Sequence, residues 1–228
     1  MNSFNFKYNE TKLQIDDLAI NLLEVTNFNE LFDQLLVDEK SSKTSLEDHI
    51  PYWTELWPSA RGLALHLVLN KALVLDKSIL EIGCGLGLPS LVATKIGASQ
   101  VVASDLINDA LYHVNANAKL NQINKNLSTQ VMDWTNLDMA TLQEMDLILA
   151  ADIVYETRFV HHFIDLIDKI KNQNLNIAIL IAEPKRTVAA TMIKEIIKMK
   201  NISVTSHEYL VNSRGTDFLI NVHHLITF

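Results

Sequence analysis

The stretch Ser78–Gly87 reads Ser-Ile-Leu-Glu-Ile-Gly-Cys-Gly-Leu-Gly, and it restricts the fold more than any other part of the chain. A short apolar run stopped by helix-averse residues is a buried strand ending in a tight turn. Gly83, Gly85 and Gly87 open backbone conformations closed to bulkier residues and let another group come close. Leu88-Pro89-Ser90-Leu91-Val92-Ala93 then begins a helix, with Pro89 where its missing N–H costs least. A glycine turn between strand and helix is a ligand site in many folds, because free helix-start N–H groups point into it. The plain alternative is a structural turn that binds nothing.

The pattern around this unit repeats it. Gln100–Ser104 is a second strand ended by Asp105, and 109–120 is helical with Leu111, Val114 and Ala118 inward. Ser128–Met132 is a third strand ended by Asp133-Trp134, and Met145–Ala150 a fourth that runs into Asp152. A helix is expected over 157–172, and the near-continuously apolar Ile177–Ala182 is a fifth strand buried on both faces. Lys185–Lys200 reads as a helix whose Lys185-Arg186 start is solvated. Ile202–Tyr209 and Phe218–Phe228 alternate as an antiparallel pair. The expected fold is α/β: a doubly wound, mostly parallel sheet with an antiparallel C-terminal edge.

Ahead of the glycine turn, Lys12–Ile15 and Leu18–Leu23 read as two strands around Asp16-Asp17. Asn27 then caps a helix carrying Leu31, Phe32, Leu35 and Leu36, and Asp38–Asp48 reads as a polar loop. This gives a small N-terminal strand/helix extension over 1–50, packed on the same domain, and a main domain over 51–228. Between them lies Ile50-Pro51-Tyr52-Trp53-Thr54-Glu55-Leu56-Trp57-Pro58. It is dense enough in rings that at least one tryptophan is expected to line a pocket while the other fills core.

Net charge is −8, from 19 basic and 27 acidic side chains, so phosphate backbones are disfavoured partners. No apolar run reaches the roughly 18 residues that span a bilayer, so no membrane partner is expected. The first residues have neither the basic head nor the apolar centre of a signal peptide. Cys84 is the only cysteine, which precludes an intrachain disulfide and fits a cytoplasmic setting. A cysteine cramped inside a turn, with no histidine nearby in sequence, reads as small packing rather than as a nucleophile. His161-His162 and His223-His224 are adjacent pairs whose side chains point apart, so no metal is expected.

The acids carry the chemistry. Open parallel sheets bind ligands beyond the carboxyl ends of their strands, and Glu81, Asp105, Asp133 and Asp152 all fall at such ends. Each alone is most simply a helix cap; four together favour a nucleoside site. Asp105 follows the glycines by about 20 positions, where nucleotide folds place the ribose-binding acid. Asp133 can accept from an adenine amino group, with Trp134 beside the ring. The dinucleotide pattern G-x-G-x-x-G fails, because its third glycine is replaced by Leu88. Instead Glu81 stands two residues before the first glycine, where a carboxylate suits an ammonium or sulfonium ligand.

In these features the chain resembles the Rossmann-like, seven-strand S-adenosylmethionine (SAM)-dependent methyltransferases often grouped as family 16. Trp57-Pro58-Ser59-Ala60, the glycine turn, Ser104-Asp105-Leu106, Asp133-Trp134 and Asp152-Ile153-Val154-Tyr155 come in the order seen there. That family includes the protein-lysine methyltransferases acting on valosin-containing protein and electron-transfer flavoprotein, and bacterial relatives labelled nicotinamide N-methyltransferases. The resemblance implies SAM as cofactor. Trp57 would stack near it; Glu81, Gly83 and Gly85 would hold its methionine end, Asp105 the ribose, and Asp133 and Trp134 the adenine. Cys84, Gly87, Leu106 and Ala150 complete the implied cofactor set. Asp152 and Tyr155 match the Asp-x-x-Tyr motif facing the methyl acceptor, and are the implied catalytic pair.

The expected reaction is N-methylation, with a protein lysine as the acceptor. A small-molecule amine and a non-catalytic SAM-binding protein stand as alternatives. A DNA amino-methylase is disfavoured, because Ile153-Val154 stands where such enzymes carry two prolines. Neither the acceptor nor the oligomeric state is readable from sequence.

Overall fold

The structure, a computed structural model, describes residues 5–39 and 50–228. Most of the loop expected over 38–48 lies outside the described residues; its first positions belong to the end of a helix. The chain opens with an antiparallel hairpin, β1 (Tyr8–Ile15) and β2 (Leu18–Val25), followed by α1 (Phe28–Glu39). Next come α2 (Pro58–Leu69), β3 (Ser78–Ile82), α3 (Leu88–Lys95), β4 (Gln100–Asp105), α4 (Asn108–Leu120) and β5 (Leu127–Val131). The short α5 (Met139–Gln143), which the sequence pattern does not announce, leads to β6 (Leu147–Ala151), α6 (Thr157–Asn172), β7 (Ala178–Glu183) and α7 (Thr187–Lys198). A long hairpin, β8 (Ile202–Ser213) and β9 (Thr216–Thr227), ends the chain.

The main sheet has seven strands in the order β5-β4-β3-β6-β7-β9-β8. The first five are parallel, and β9 pairs antiparallel with both β7 and β8. This is the doubly wound sheet with an antiparallel edge that the sequence implies. The progression reverses at β3, with β4 on one side and β6 on the other, which opens a crevice at the carboxyl ends of these strands. Register brings the ends level: Ile82 pairs with Ser104 on one side and Ala150 on the other. Acids that follow these positions therefore meet at one rim.

Both faces of the sheet are covered, as near-continuous apolar strands require. On one face, Leu63 and Leu67 of α2 and Leu91 of α3 pack on Ile79, Val101 and Leu180. On the other, Phe163 and Ile167 of α6 and Met192 of α7 pack on Leu80, Ile148 and Ile181. The β1–β2 hairpin sends Leu13, Ile15, Ile20 and Leu22 into the first of these cores. It is also tied to α4 by side chains: Leu23 N donates to Asn117 Oδ1 (2.8 Å), and Asn21 N to Asn121 Oδ1 (2.9 Å). Asn117 is fully buried and donates in turn to the carbonyl of Leu86 (3.1 Å). One side chain thus links the hairpin to the glycine turn.

Candidate active site

A cleft of about 370 Å³ opens at the rim, floored by the glycine turn and bordered by residues after β4, β5 and β6. Gly83, Gly85 and Gly87 all have positive φ (64°, 51° and 77°), the region L side chains rarely adopt. Gly85 also lies under the backbone of Trp53, whose carbonyl oxygen would stand 3.2 Å from an added Cβ. The turn is closed by its own hydrogen bonds: Cys84 N donates to Ser104 O (2.9 Å) and Gly87 N to Cys84 O (2.8 Å). Cys84 is buried, and burial pushes its thiol well above the usual range, which makes it inert packing.

The acids do not all face outward as a cation cradle. Glu81 is 1% exposed and accepts from Ser90 N (2.9 Å) and from the Ser90 hydroxyl, so it caps α3 from within while its residue lines the cleft. The expectation of free helix-start N–H groups fails at Ser90 for this reason. Burial without a cationic partner, against the Ser90 bonds and reinforced by Asp105, raises its carboxyl to about 8. Asp105 accepts from Gly85 N and from Ile107 N, both at 3.0 Å. Burial raises its pKa, and these backbone bonds oppose the rise. Each carboxylate oxygen has a second lone pair, so this bonding leaves acceptor capacity for a ligand.

Asp133 is exposed and caps a 3₁₀ turn, accepting at Oδ1 from Thr135 N (2.9 Å) and Thr135 Oγ1 (2.7 Å). Trp134 and the exposed Leu106 line the same end of the cleft. Ala150 does not: it is fully buried in the core, and its neighbour Ala151 lines the cleft instead. Successive strand residues face opposite sides of the sheet, and a one-residue shift in the assignment accounts for the difference.

From the other end, rings form a continuous border that runs back to Trp134. Tyr52 meets Trp57 (ring centroids 6.2 Å) and Tyr155 (5.9 Å); Tyr155 meets Phe159 (5.0 Å), which meets Trp134 (5.7 Å). Trp53 and Trp57 both line the cleft, and Trp53 is also packed edge-on against Phe6 and tilted against His113. Neither tryptophan is pure core.

Asp152 sits just past β6 with φ +57°, a left-handed conformation that Asp tolerates better than most residues. Its side chain is 5% exposed and is gripped by Arg186: Nε donates to Oδ1 and Nη2 to Oδ2, both at 3.0 Å. Burial raises the Asp152 pKa, and the Arg186 bonds and charge hold it down. Arg186 stands at the start of α7 with its side chain 38% exposed, as a solvated helix start would, but it is also committed to Asp152, which that reading did not include. Lys185 does reach the surface, where it pairs with Glu208. Glu183, at the end of β7, accepts from Arg186 N (2.9 Å) and Asn221 Nδ2 (2.7 Å). Burial works to raise its pKa, but His223 and these donors outweigh burial and leave it lowered. Sequence reasoning missed the roles of Arg186 and Glu183. The signal available was a fifth acid at a strand end, followed after one turn by an arginine.

The residues present fit a SAM-like ligand. The cleft combines a glycine floor, acids at the ends of β4 and β5, a tryptophan beside the second of them and a ring-lined end next to a carboxylate. Among the described residues, no group of three or more His, Cys, Asp or Glu is placed to hold a metal.

Comparison with known proteins agrees with this geometry. A sequence profile described as lysine methyltransferase matches residues 49–200. The electron transfer flavoprotein beta subunit lysine methyltransferase homolog of Caenorhabditis elegans is 28% identical over 146 residues, covering 60% of this chain and 59% of that protein. Its human counterpart is 30% identical over 106 residues, covering 46% and 39%. The protein-lysine N-methyltransferase EFM3 of Chaetomium thermophilum is 29% identical over 171 residues, covering 70% and 51%. The matches thus span 39–59% of the length of these curated relatives. Among solved structures, the SAM-bound magnesium protoporphyrin IX methyltransferase of Synechocystis shares the fold at TM-score 0.54 and 14% identity, covering 87% of this chain and 91% of that one. The ribosomal protein L11 methylase of Lactobacillus delbrueckii does so at 0.51 and 19%, covering 75% and 79%.

Proposed function

The chain belongs to the lysine methyltransferase family, and from that premise we propose that it transfers a methyl group from SAM to the ε-amino group of a lysine in a protein. The observation that supports this most is the union of two ends in one cleft: Glu81, Asp105 and Asp133 around the glycine turn, and Asp152 with Tyr155 beside a border of rings. The relatives named for lysine methylation lend the acceptor class its support.

When bound, SAM supplies a methyl group on a sulfonium, which the amine lone pair takes while the carbon–sulfur bond pair stays with sulfur. The chain's own residues bind and align. Asp105 and Asp133 offer their spare lone pairs to ribose and adenine groups, and Trp134 borders the base. The aromatic border of Tyr52, Trp57 and Tyr155 favours a cationic substrate through the ring faces. Asp152 orients the acceptor amine. Alignment of the reacting atoms is the larger part of catalysis for a displacement of this kind.

Incubation of the protein with methyl-labelled SAM and a cell lysate, before and after protease treatment, tests the reading. Label in protein that hydrolyses to methyl-lysine is the expected result. Label that survives protease treatment as a small amine would move the acceptor to a metabolite. Binding of S-adenosylhomocysteine (SAH) with no labelling in either fraction would leave a non-catalytic binding protein.

A further inference from the structure

We propose that Arg186 is a positioning residue for methyl transfer: by neutralising Asp152 it lets that carboxylate orient the acceptor lysine without holding it as an ammonium. The inference rests on the lysine N-methyltransferase reading above.

The geometry is specific. Both carboxylate oxygens of Asp152 are taken by one guanidinium, through Nε and Nη2, in the two-pronged arrangement that fixes a carboxylate most firmly. The pair is set from two different crossovers. Asp152 follows β6 and is anchored by its N–H to Ala182 O (2.9 Å); Arg186 follows β7 and is anchored by its N–H to Glu183. The guanidinium carbon also lies 6.0 Å from the centre of the Trp57 ring, which borders the cleft. The charged groups facing Asp152 are Arg186 and, more weakly, Glu183, which raises its pKa. The Ser59 hydroxyl faces it from α2; it is buried and without a hydrogen-bond partner at ordinary geometry.

A lysine must be neutral before its lone pair can attack, so its ammonium first gives a proton to water at the open mouth of the cleft. A lone, buried carboxylate next to that nitrogen would oppose this step, because an opposite charge at close range favours the protonated amine by about 1–3 pKa units. Arg186 removes most of that attraction. Each Asp152 oxygen retains a lone pair, enough to accept from the amine and aim it. The carboxylate keeps its directional role and loses its grip on the proton.

The test compares wild type, R186Q and R186K, using saturating methyl-labelled SAM and the lysate protein fraction that wild type labels, from pH 6.5 to 9.5. For R186Q the acid limb of kcat is expected to move up by about 1–3 pH units. Its rate at pH 7 falls roughly tenfold or more, and the gap narrows toward pH 9.5. The KM for acceptor does not rise, and SAH affinity by calorimetry is unchanged. R186K keeps the charge and keeps the limb close to wild type. In parallel, carbon-13 NMR of aspartate-labelled protein without cofactor should show the Asp152 carboxyl titrating at higher pH in R186Q than in wild type. A loss in R186Q that is equal at every pH, or a rise in acceptor KM, overturns the proposal. So does an unmoved Asp152 resonance, which decides the matter if R186Q is too unstable for kinetics and R186K is read instead against an R186M control. A wild type that labels nothing refutes the enzymatic reading rather than the Arg186–Asp152 coupling, which the NMR arm measures independently.

Discussion

Glu81→Gln should flatten the dependence of stability on pH between about 5 and 8. Glu81 is 1% exposed, its bonds come only from Ser90, and its nearest charge is another acid, Asp105. Below the unfolded pKa of 4.5 both folded and unfolded chains carry the proton, so the residue has no effect on the balance. Between 4.5 and about 8 the unfolded chain has lost that proton and the folded one retains it, so wild-type stability falls as pH rises. At about 1.4 kcal/mol per pH unit, the whole window amounts to roughly 5 kcal/mol, an upper figure that water entry would reduce. Glutamine keeps an acceptor for Ser90 N and has nothing to ionise. Asp105 has a raised pKa too, but it is present in both proteins and cancels in the difference. Urea unfolding midpoints at half-unit intervals are the assay. The expected result is that E81Q gains on wild type steadily from pH 5 to 8. Parallel curves would show that Glu81 is ionised in the folded protein and that the burial reasoning fails. The same group predicts that SAH binding at pH 7, by bringing an ammonium to this end of the cleft, expels up to about one proton in wild type and less in E81Q. Calorimetry in two buffers of different ionisation heat reads that number.

Gly85→Ala adds a Cβ 3.2 Å from Trp53 O at φ +51°, a strain of about 1–2 kcal/mol, seen as a lower Tm and weaker SAH binding. Asn117→Ala strands the Leu23 N–H and the Leu86 carbonyl and should cost about 1–3 kcal/mol in urea unfolding; an unchanged SAH affinity would show that the hairpin does not support the glycine turn. His66 has its pKa lowered to about 4 by burial, with His207 and His224 adding to the effect, and its Nδ1 is paired with Tyr209 Oη (2.8 Å). The folded state therefore refuses a proton that the unfolded chain accepts. Its share of stability is expected to be lost as pH drops from 6.5 toward 4, at most roughly 3 kcal/mol and less after solvent screening. His66→Gln should shrink the slope rather than abolish it, because burial also lowers His113 and His224.

The sheet was readable because its signals are local. Apolar runs of five or six residues end at Gly83, Asp105 and Asp152, and β-register then does the rest by bringing those ends level. Most of the positions that line the cleft around the glycine turn could be picked out by type for the same reason. What stayed hidden depends on contacts between distant segments. Nothing in Glu81-Ile82-Gly83 says that the carboxylate turns inward to Ser90, because that choice is made by how α3 packs on β3. Arg186 and Asp152 stand 34 positions apart and meet only because β6 and β7 are neighbours. Asn117 looks like one polar residue among several on a helix; its value as a bridge appears only once β2 lies beside α4. Ala150 and Ala151 differ in outcome through strand alternation alone, where a boundary error of one residue is enough.

The Arg186–Asp152 pairing bears on how such proteins can be re-engineered. A chimera that replaces only the segment after β7 in this chain would leave the Asp152 carboxylate buried without the guanidinium that holds it, because the two partners come from different connections. In this chain the segments after β6 and β7 therefore form one electrostatic unit, and a graft of either keeps the pair only if the other travels with it.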